Sequence, residues 1–373
     1  MNAYDRRTFV KQSAMLAAAA AAARLGLSPA LARTARPEQC PPAATPQDHP
    51  FFKAQKCIDI IAHRGGAGEW PEETLFALER ARARADVLEI DVHATRDNEL
   101  VLMHDATVDR TTDGAGCIKG YSLDEVSGLN AGHGWPYCCE PRAFKEELEC
   151  LVRPNRRGER DKECCKVHPF SHLKLRVPTL KRVLDEFKEW RDKRMIIELK
   201  EVECGAVEAF CKLLAGYDKE VRERILVASF YDTTVEAVRG DPRCDGAATS
   251  AGSCELLELA GGITNKKQLE ILGKVLPPCG VIKRAVRLLT CRKKPSPDGG
   301  KSHVIAVPAN LIAEDRLFVK NARDKYKVKV YAWTVNDPVQ MWQMMEAGVD
   351  GVITDYPSLM FEWRERWLGR QGE

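Results

Sequence analysis

A chain of 373 residues with 44% hydrophobic and 30% charged residues can bury a large core, which excludes a disordered or low-complexity polypeptide. Its formal net charge of +3 gives no electrostatic case for nucleic acid as a partner. The 14 cysteines are too sparse for a small disulfide scaffold, and every one follows residue 39.

At the N-terminus, Asp5-Arg6-Arg7-Thr8-Phe9-Val10-Lys11 has the pattern of a twin-arginine export signal. An alanine-rich segment, Ala14–Ala23, follows, and Ala30-Leu31-Ala32 suits a small-residue cleavage site. A membrane anchor is the alternative, but Arg24, Gly26 and Pro29 interrupt the apolar run short of the ~20 residues a span needs. No cysteine directly follows the cleavage region, which argues against a lipoprotein anchor. Residues 1–32 are therefore expected to be an export signal engaging the twin-arginine machinery, with the mature protein periplasmic or extracellular. Losing them removes four basic groups and one acid, which brings the net charge from +3 to zero. Cysteines confined to the remainder suit an oxidising compartment. Residues 33–56, rich in Pro and Ala, read as an extended lead-in to a domain spanning 57–373.

The next stretch concentrates chemistry. Two apolar runs, Ile58–Ala62 and Val87–Val92, read as buried strands, with the amphipathic segment Glu73–Ala85 between them. His63 and Arg64 close the first strand. Glu89 and Asp91, two apart on the second, point to one face of the sheet. A short run, Leu100–Met103, delivers His104 and Asp105.

Further candidate strands are 195–199, 225–229, 246–250, 303–307, 328–333 and 351–354. Helical stretches separate most of them: Leu180–Trp190, Gly205–Ala215, Thr233–Arg239, Asp315–Tyr326 and Pro338–Ala347. Eight strands in βα alternation predict a (β/α)8 TIM barrel with active groups at the strands' C-terminal ends. An open doubly wound sheet is the runner-up, weakened because no G-x-G-x-x-G turn follows the first strand. Glu198, on the third strand of the barrel, joins Glu89 and Asp91. Three carboxylates facing one point repel one another unless a cation sits among them. An all-oxygen set favours Ca2+ or Mg2+. The competing reading pairs Glu198 with Lys200 and Glu89 with an arginine.

Two pieces do not fit simple βα loops. Residues 113–176 carry Cys117, Cys138, Cys139, Cys150, Cys164 and Cys165 and read as a Cys-rich insertion after the second strand, either a lid or a stapled surface loop. Their spacing does not match zinc sites. Residues 252–302 include the basic, apolar segment Val281–Lys294, a candidate for peripheral lipid contact, though a solvated loop is the plainer reading.

The ordered set His63-Arg64-Gly65, Pro71-Glu72-Glu73-Thr74, Glu89-Ile90-Asp91 and His104-Asp105 resembles the glycerophosphodiester phosphodiesterase family. The likeness continues through Arg110–Gly116, Val177–Leu180, Ile196–Lys200, Tyr331–Asp337 and Gly348–Pro357. One departure is Glu73, where the family has Asn; near a helix start a carboxylate there suits the dipole. The resemblance implies a metal-dependent hydrolase that releases glycerol 3-phosphate and an alcohol, with Glu89, Asp91 and Glu198 as metal ligands. It also implies two steps through a cyclic phosphate. Arg64 and Lys200 would neutralise the phosphate, and His63 and His104 would exchange protons, His63 starting as base. Trp333 would meet the substrate glycerol or fill the barrel top. Two alternatives remain: a cyclising lyase similar to the sphingomyelinases D, acting on intact lipids, and a non-catalytic secreted binding protein. The other histidines carry plainer expectations: His93 at the rim, His133, His168 and His172 in the insertion, and His49 and His303 without partners.

Overall fold

In the computed structural model, the described residues are 49–53, 57–133, 135, 173–200, 204–264, 269, 272, 276, 302–315 and 317–371. Residues 1–48, which include the expected export signal and most of the expected lead-in, lie outside them, as do most of residues 113–176, where an insertion was expected, Val281–Lys294, His168 and His172. The sheet contains nine strands: β1 Asp59–Ala62, β2 Val87–Ala94, β3 Leu100–Leu102, β4 Arg194–Leu199, β5 Ile225–Ala228, β6 Ala248–Thr249, β7 Val304–Pro308, β8 Lys329–Trp333 and β9 Gly351–Thr354. All but β3 run parallel in the order β6-β5-β4-β2-β1-β9-β8-β7. A parallel bridge between Ser250 and Val304 joins the two ends of that row. The result is the expected barrel rather than an open doubly wound sheet. β3 pairs antiparallel with β2 as a hairpin outside the barrel order.

Alternation along each strand builds two cores and the site together. Outward residues such as Ile60, Leu88, Ile90, Met195, Ile197 and Val227 pack against the surrounding helices. Inward residues Ile61, Val87, Ile196, Leu226, Tyr331 and Ile353 fill the barrel's lower part. Two and four residues beyond Val87 on β2 the inward positions are Glu89 and Asp91, and two residues beyond Ile196 on β4 it is Glu198. The same pleat therefore makes the floor apolar and the mouth acidic. Gly351 makes room for the floor's largest side chain, because a Cβ there would sit 2.8 Å from Tyr331 Cδ1.

Several helix starts are capped by the motif residues quoted above. Thr74 accepts from the Ala77 backbone N–H at the head of Leu75–Ala81, and Thr179 accepts from Arg182 N–H at the head of Leu180–Phe187. Asp337 does the same for Pro338–Glu346, with proline in the first turn.

Some expectations need correction. The lead-in is not extended throughout: Pro50–Lys53 forms a helical turn whose Phe51 and Phe52 are buried with the inward residues of the barrel floor. Two neighbouring phenylalanines in a Pro- and Ala-rich segment show no periodicity to betray this. The helix expected over 315–326 is Phe318–Tyr326, and a further helix not expected from sequence, Ala309–Glu314, precedes it. The segment 252–302 opens with a regular helix, Ser253–Gly261. Residues 118–128, at the start of the expected insertion, are mostly helical. A capping box at Ser122 and Glu125 starts the helix Leu123–Gly128. Val126, Ile118 and Ala131 then form a small separate core with Val101 and Met103.

Beneath the barrel, Arg194 on β4 makes a fork of hydrogen bonds to Asp59 on β1, at 2.8 and 2.5 Å, and both side chains are buried. Removing one partner leaves the other charge without compensation. Arg194→Ala is expected to lower the unfolding free energy by ~3–5 kcal/mol, measured by denaturant titration. A change within the ~0–1 kcal/mol of a surface pair would show that the fork does not hold the floor.

Candidate active site

The mouth of the barrel gathers side chains from several strand ends and the loops that follow them. Glu89, Asp91 and Glu198 offer carboxylate oxygens that all lie within 4.8 Å of one another. Register explains the convergence, since Asp91 and Glu198 are direct partners across the β2–β4 pair. Glu89 accepts a 2.7 Å hydrogen bond from the Arg64 backbone N–H. Arg64 is held there in a left-handed conformation with φ 54°. Lys200 Nζ sits 2.8 Å from Asp91 Oδ1 and 2.9 Å from Glu198 Oε1, and Arg64 Nε is 3.4 Å from Asp91 Oδ2. Apart from these two cationic side chains, both Asp91 oxygens and Glu198 Oε1 are buried with no other hydrogen-bond donor. Burial, then the Asp91 charge, raises the Glu89 carboxyl to about 7, and burial raises Glu198. At Asp91 burial works in the same direction, but Lys200, His104 and Arg64 outweigh it and hold the pKa low. Buried, crowded, under-satisfied oxygens of this kind fit a hard dication.

The two histidines flank the acids, and each is oriented by an aspartate. His63 Nδ1 is 2.6 Å from Asp355 Oδ1 at the end of β9. Asn336 in turn grips Asp355, donating from Nδ2 at 2.5 Å to Oδ2 and accepting from the Asp355 backbone N–H at 2.9 Å. His104 Nδ1 is 2.7 Å from Asp105 Oδ1. With Nδ1 committed, Nε2 is the nitrogen of each ring available for proton transfer. Burial disfavours charge on both rings, with opposite net outcomes. Asp355 and Glu89 overcome it at His63 and raise its pKa above the ordinary 6.5. At His104, burial with help from Lys200 and Arg64 lowers the pKa below 6.5.

A salt-bridge relay connects these pieces. Arg110 forks onto Glu72 at 2.7 and 2.9 Å and reaches Asp105 at 2.6 Å, while Arg64 Nη1 contacts Glu72 at 3.2 Å. Glu72, Arg110, Asp355 and Asn336 were not singled out from sequence, although all four fall inside the motifs quoted for the resemblance. Asp105 orients His104.

Glu73 departs from expectation. It adopts φ 57°, turns away from the helix start and accepts the Asp91 backbone N–H at 3.0 Å, while Thr74 caps the helix. Burial with nearby Asp91 and Glu89 raises its pKa well above the usual range. His93 is buried, its Nε2 3.3 Å from the His104 carbonyl, rather than at the rim. His49 and His303 meet each other edge to face at 4.9 Å. Trp333 lies 6.2 Å from Phe230 in a T-shaped contact, and both line the pocket with His63, His104, Glu198 and Lys200.

An eight-stranded parallel barrel with titratable side chains at its C-terminal mouth defines a barrel enzyme. The profile of the glycerophosphoryl diester phosphodiesterase family matches residues 63–239, and a second profile of that description matches 329–358. A glycerophosphodiester phosphodiesterase of Bacillus altitudinis is 40% identical over 310 residues, covering 82% of this chain and 98% of the relative. One from Caldanaerobacter subterraneus subsp. tengcongensis is 28% identical over 311 residues, covering 81% and 95%. The chain belongs to the glycerophosphodiester phosphodiesterase family. Solved structures agree on the fold. A glycerophosphoryl diester phosphodiesterase domain from Mycobacterium tuberculosis superposes with a TM-score of 0.57 at 19% identity, covering 82% of this chain and 99% of that one. An Oleispira antarctica phosphodiesterase in complex with sn-glycerol-3-phosphate gives 0.54 at 20%, covering 82% and 96%.

Proposed function

We propose that this glycerophosphodiester phosphodiesterase is metal-dependent, and that it hydrolyses its substrates to glycerol 3-phosphate and an alcohol by histidine acid–base catalysis through a cyclic phosphate. The observation that carries this reading is the acid triad drawn from two strands beside two aspartate-backed histidines. Glu89, Asp91 and Glu198 would hold one Ca2+ or Mg2+ ion, which supplies positive charge to the phosphate oxygens. Arg64 and Lys200 stand next to the same point and would share in neutralising the diester. For the site without its ion, the pKa directions favour starting roles opposite to those expected from sequence: neutral His104 as base and protonated His63 as acid. His104 takes the proton of the glycerol 2-hydroxyl as its oxygen attacks phosphorus, and His63 protonates the departing alcohol. In the second step the roles reverse, so that water opens the ring. Phe230 and Trp333 form an aromatic wall against which the glycerol or the alcohol would pack. The product bound in the Oleispira antarctica barrel is the one assigned to this reaction.

Export by the twin-arginine route is proposed on the pattern of residues 5–32. Cys57 and Cys254, both disulfide-bonded, suit an oxidising destination. Phosphorus NMR of the purified protein with glycerophosphocholine and either ion tests the reaction. Glycerol 3-phosphate is expected as the final product. A cyclic phosphate that accumulates and persists would move the chain to the cyclising class, and no turnover of any glycerophosphodiester would remove the reading.

A further inference from the structure

We infer that Cys211 and Cys244 close to a structural disulfide during folding. Both are free, buried thiols, 1% and 4% exposed, yet their sulfurs stand 3.0 Å apart across a sequence separation of 33 residues. That is about 1 Å beyond the ~2.05 Å of a bonded pair, a gap small enough for side-chain rotation with little backbone movement. Cys211 lies on the helix Cys204–Leu214, and Cys244 ends the short turn Pro242–Cys244.

An independent set of contacts holds the two backbones in place. Arg243, next to Cys244, forks onto Glu208 of that helix at 2.6 and 2.8 Å. Glu208 is three residues before Cys211 and so shares its helix face. Arg243 also grips Asp241 at 2.6 and 2.9 Å, and the Cys244 backbone N–H donates to the Asp241 carbonyl at 2.9 Å. The turn is thus stiff and clamped to the helix on its solvent side, with the sulfurs meeting directly inside the seam.

Closing the bridge removes two protons and two electrons from the thiols. A disulfide oxidant, small-molecule or protein, accepts them. One thiolate attacks the oxidant through a mixed disulfide, the second cysteine displaces it, and the oxidant leaves as two thiols. The hydrogen bond to Cys211, reinforced by burial, pushes the Cys244 thiol far up, so thiolate is scarce once the seam is packed. The exchange therefore belongs to folding, before burial is complete.

The test uses the full chain, refolded with oxidised glutathione. Exposed thiols, Cys117 among them, are first alkylated in the native state. The protein is then unfolded with a second alkylating label and mapped by mass spectrometry without reduction. The expected result is a single species joining the Cys211 and Cys244 peptides, two hydrogens lighter than their sum and absent from Cys244→Ser. Recovery of both cysteines with the second label, or either one joined to a different cysteine, would overturn the inference.

Discussion

His63→Ala and His104→Ala should each cut turnover of glycerophosphocholine by about 10²–10⁴-fold, the usual range for losing a positioned acid or base. Neither change should unfold the protein, because both rings face the pocket and neither belongs to a core cluster. The two variants should then diverge on a diester whose leaving group is a nitrophenol. A departing nitrophenolate needs no proton, so His63→Ala should recover much of its rate while His104→Ala should not. The reverse pattern would exchange the assigned roles, and near-native rates in both would remove the histidines from the chemistry. pH adds a second readout. The active form needs His104 neutral, with its pKa below 6.5, and His63 protonated, with its pKa above 6.5. Rate should fall as pH drops through the first value and fall again as pH rises through the second, leaving a plateau between them. Each variant should lose one limb of that profile.

Chelation should abolish activity, and readdition of Ca2+ or Mg2+ should restore it, because a diester that draws Lys200 and Arg64 toward phosphate leaves Glu89, Asp91 and Glu198 crowded and short of positive charge. Glu198→Gln keeps the size of the side chain and removes one ligand charge. Metal affinity should drop by at least about tenfold, a loss of ~1.4 kcal/mol, while the denaturation midpoint stays level or rises as a crowded negative charge disappears. Calorimetric titration with each ion measures the first quantity and urea unfolding of the metal-free protein the second. Full activity in excess EDTA would remove the ion from the mechanism.

The acid cluster was legible because it follows from the shortest-range rule available. Glu89 and Asp91 must share a face in any strand, and Glu198 sits at the equivalent height on the neighbouring one. The barrel was legible for a similar reason, since most strands announced themselves as short apolar runs between helical patterns. What sequence could not supply was the pairing made by ring closure. Asp355 lies 292 residues from His63 and meets it because β9 returns beside β1. Arg110 and Glu72 are 38 apart and meet through loops of no regular period. Glu73 was misjudged for another reason: its left-handed backbone, uncommon for a residue with a side chain, turns the carboxylate into the barrel instead of along the helix. The phenylalanines at 51 and 52 failed as a signal because two residues cannot establish a repeat.

The aromatic stopper they form gives the barrel a closed bottom. A ring of strands with Phe51, Phe52 and the Asp59–Arg194 fork across its base is a blind well, with traffic through one end only. Whatever lodges deepest must arrive first and depart last, so an ion seated on the acids would have to load before the diester covers it, and spent product must clear before the ion can exchange.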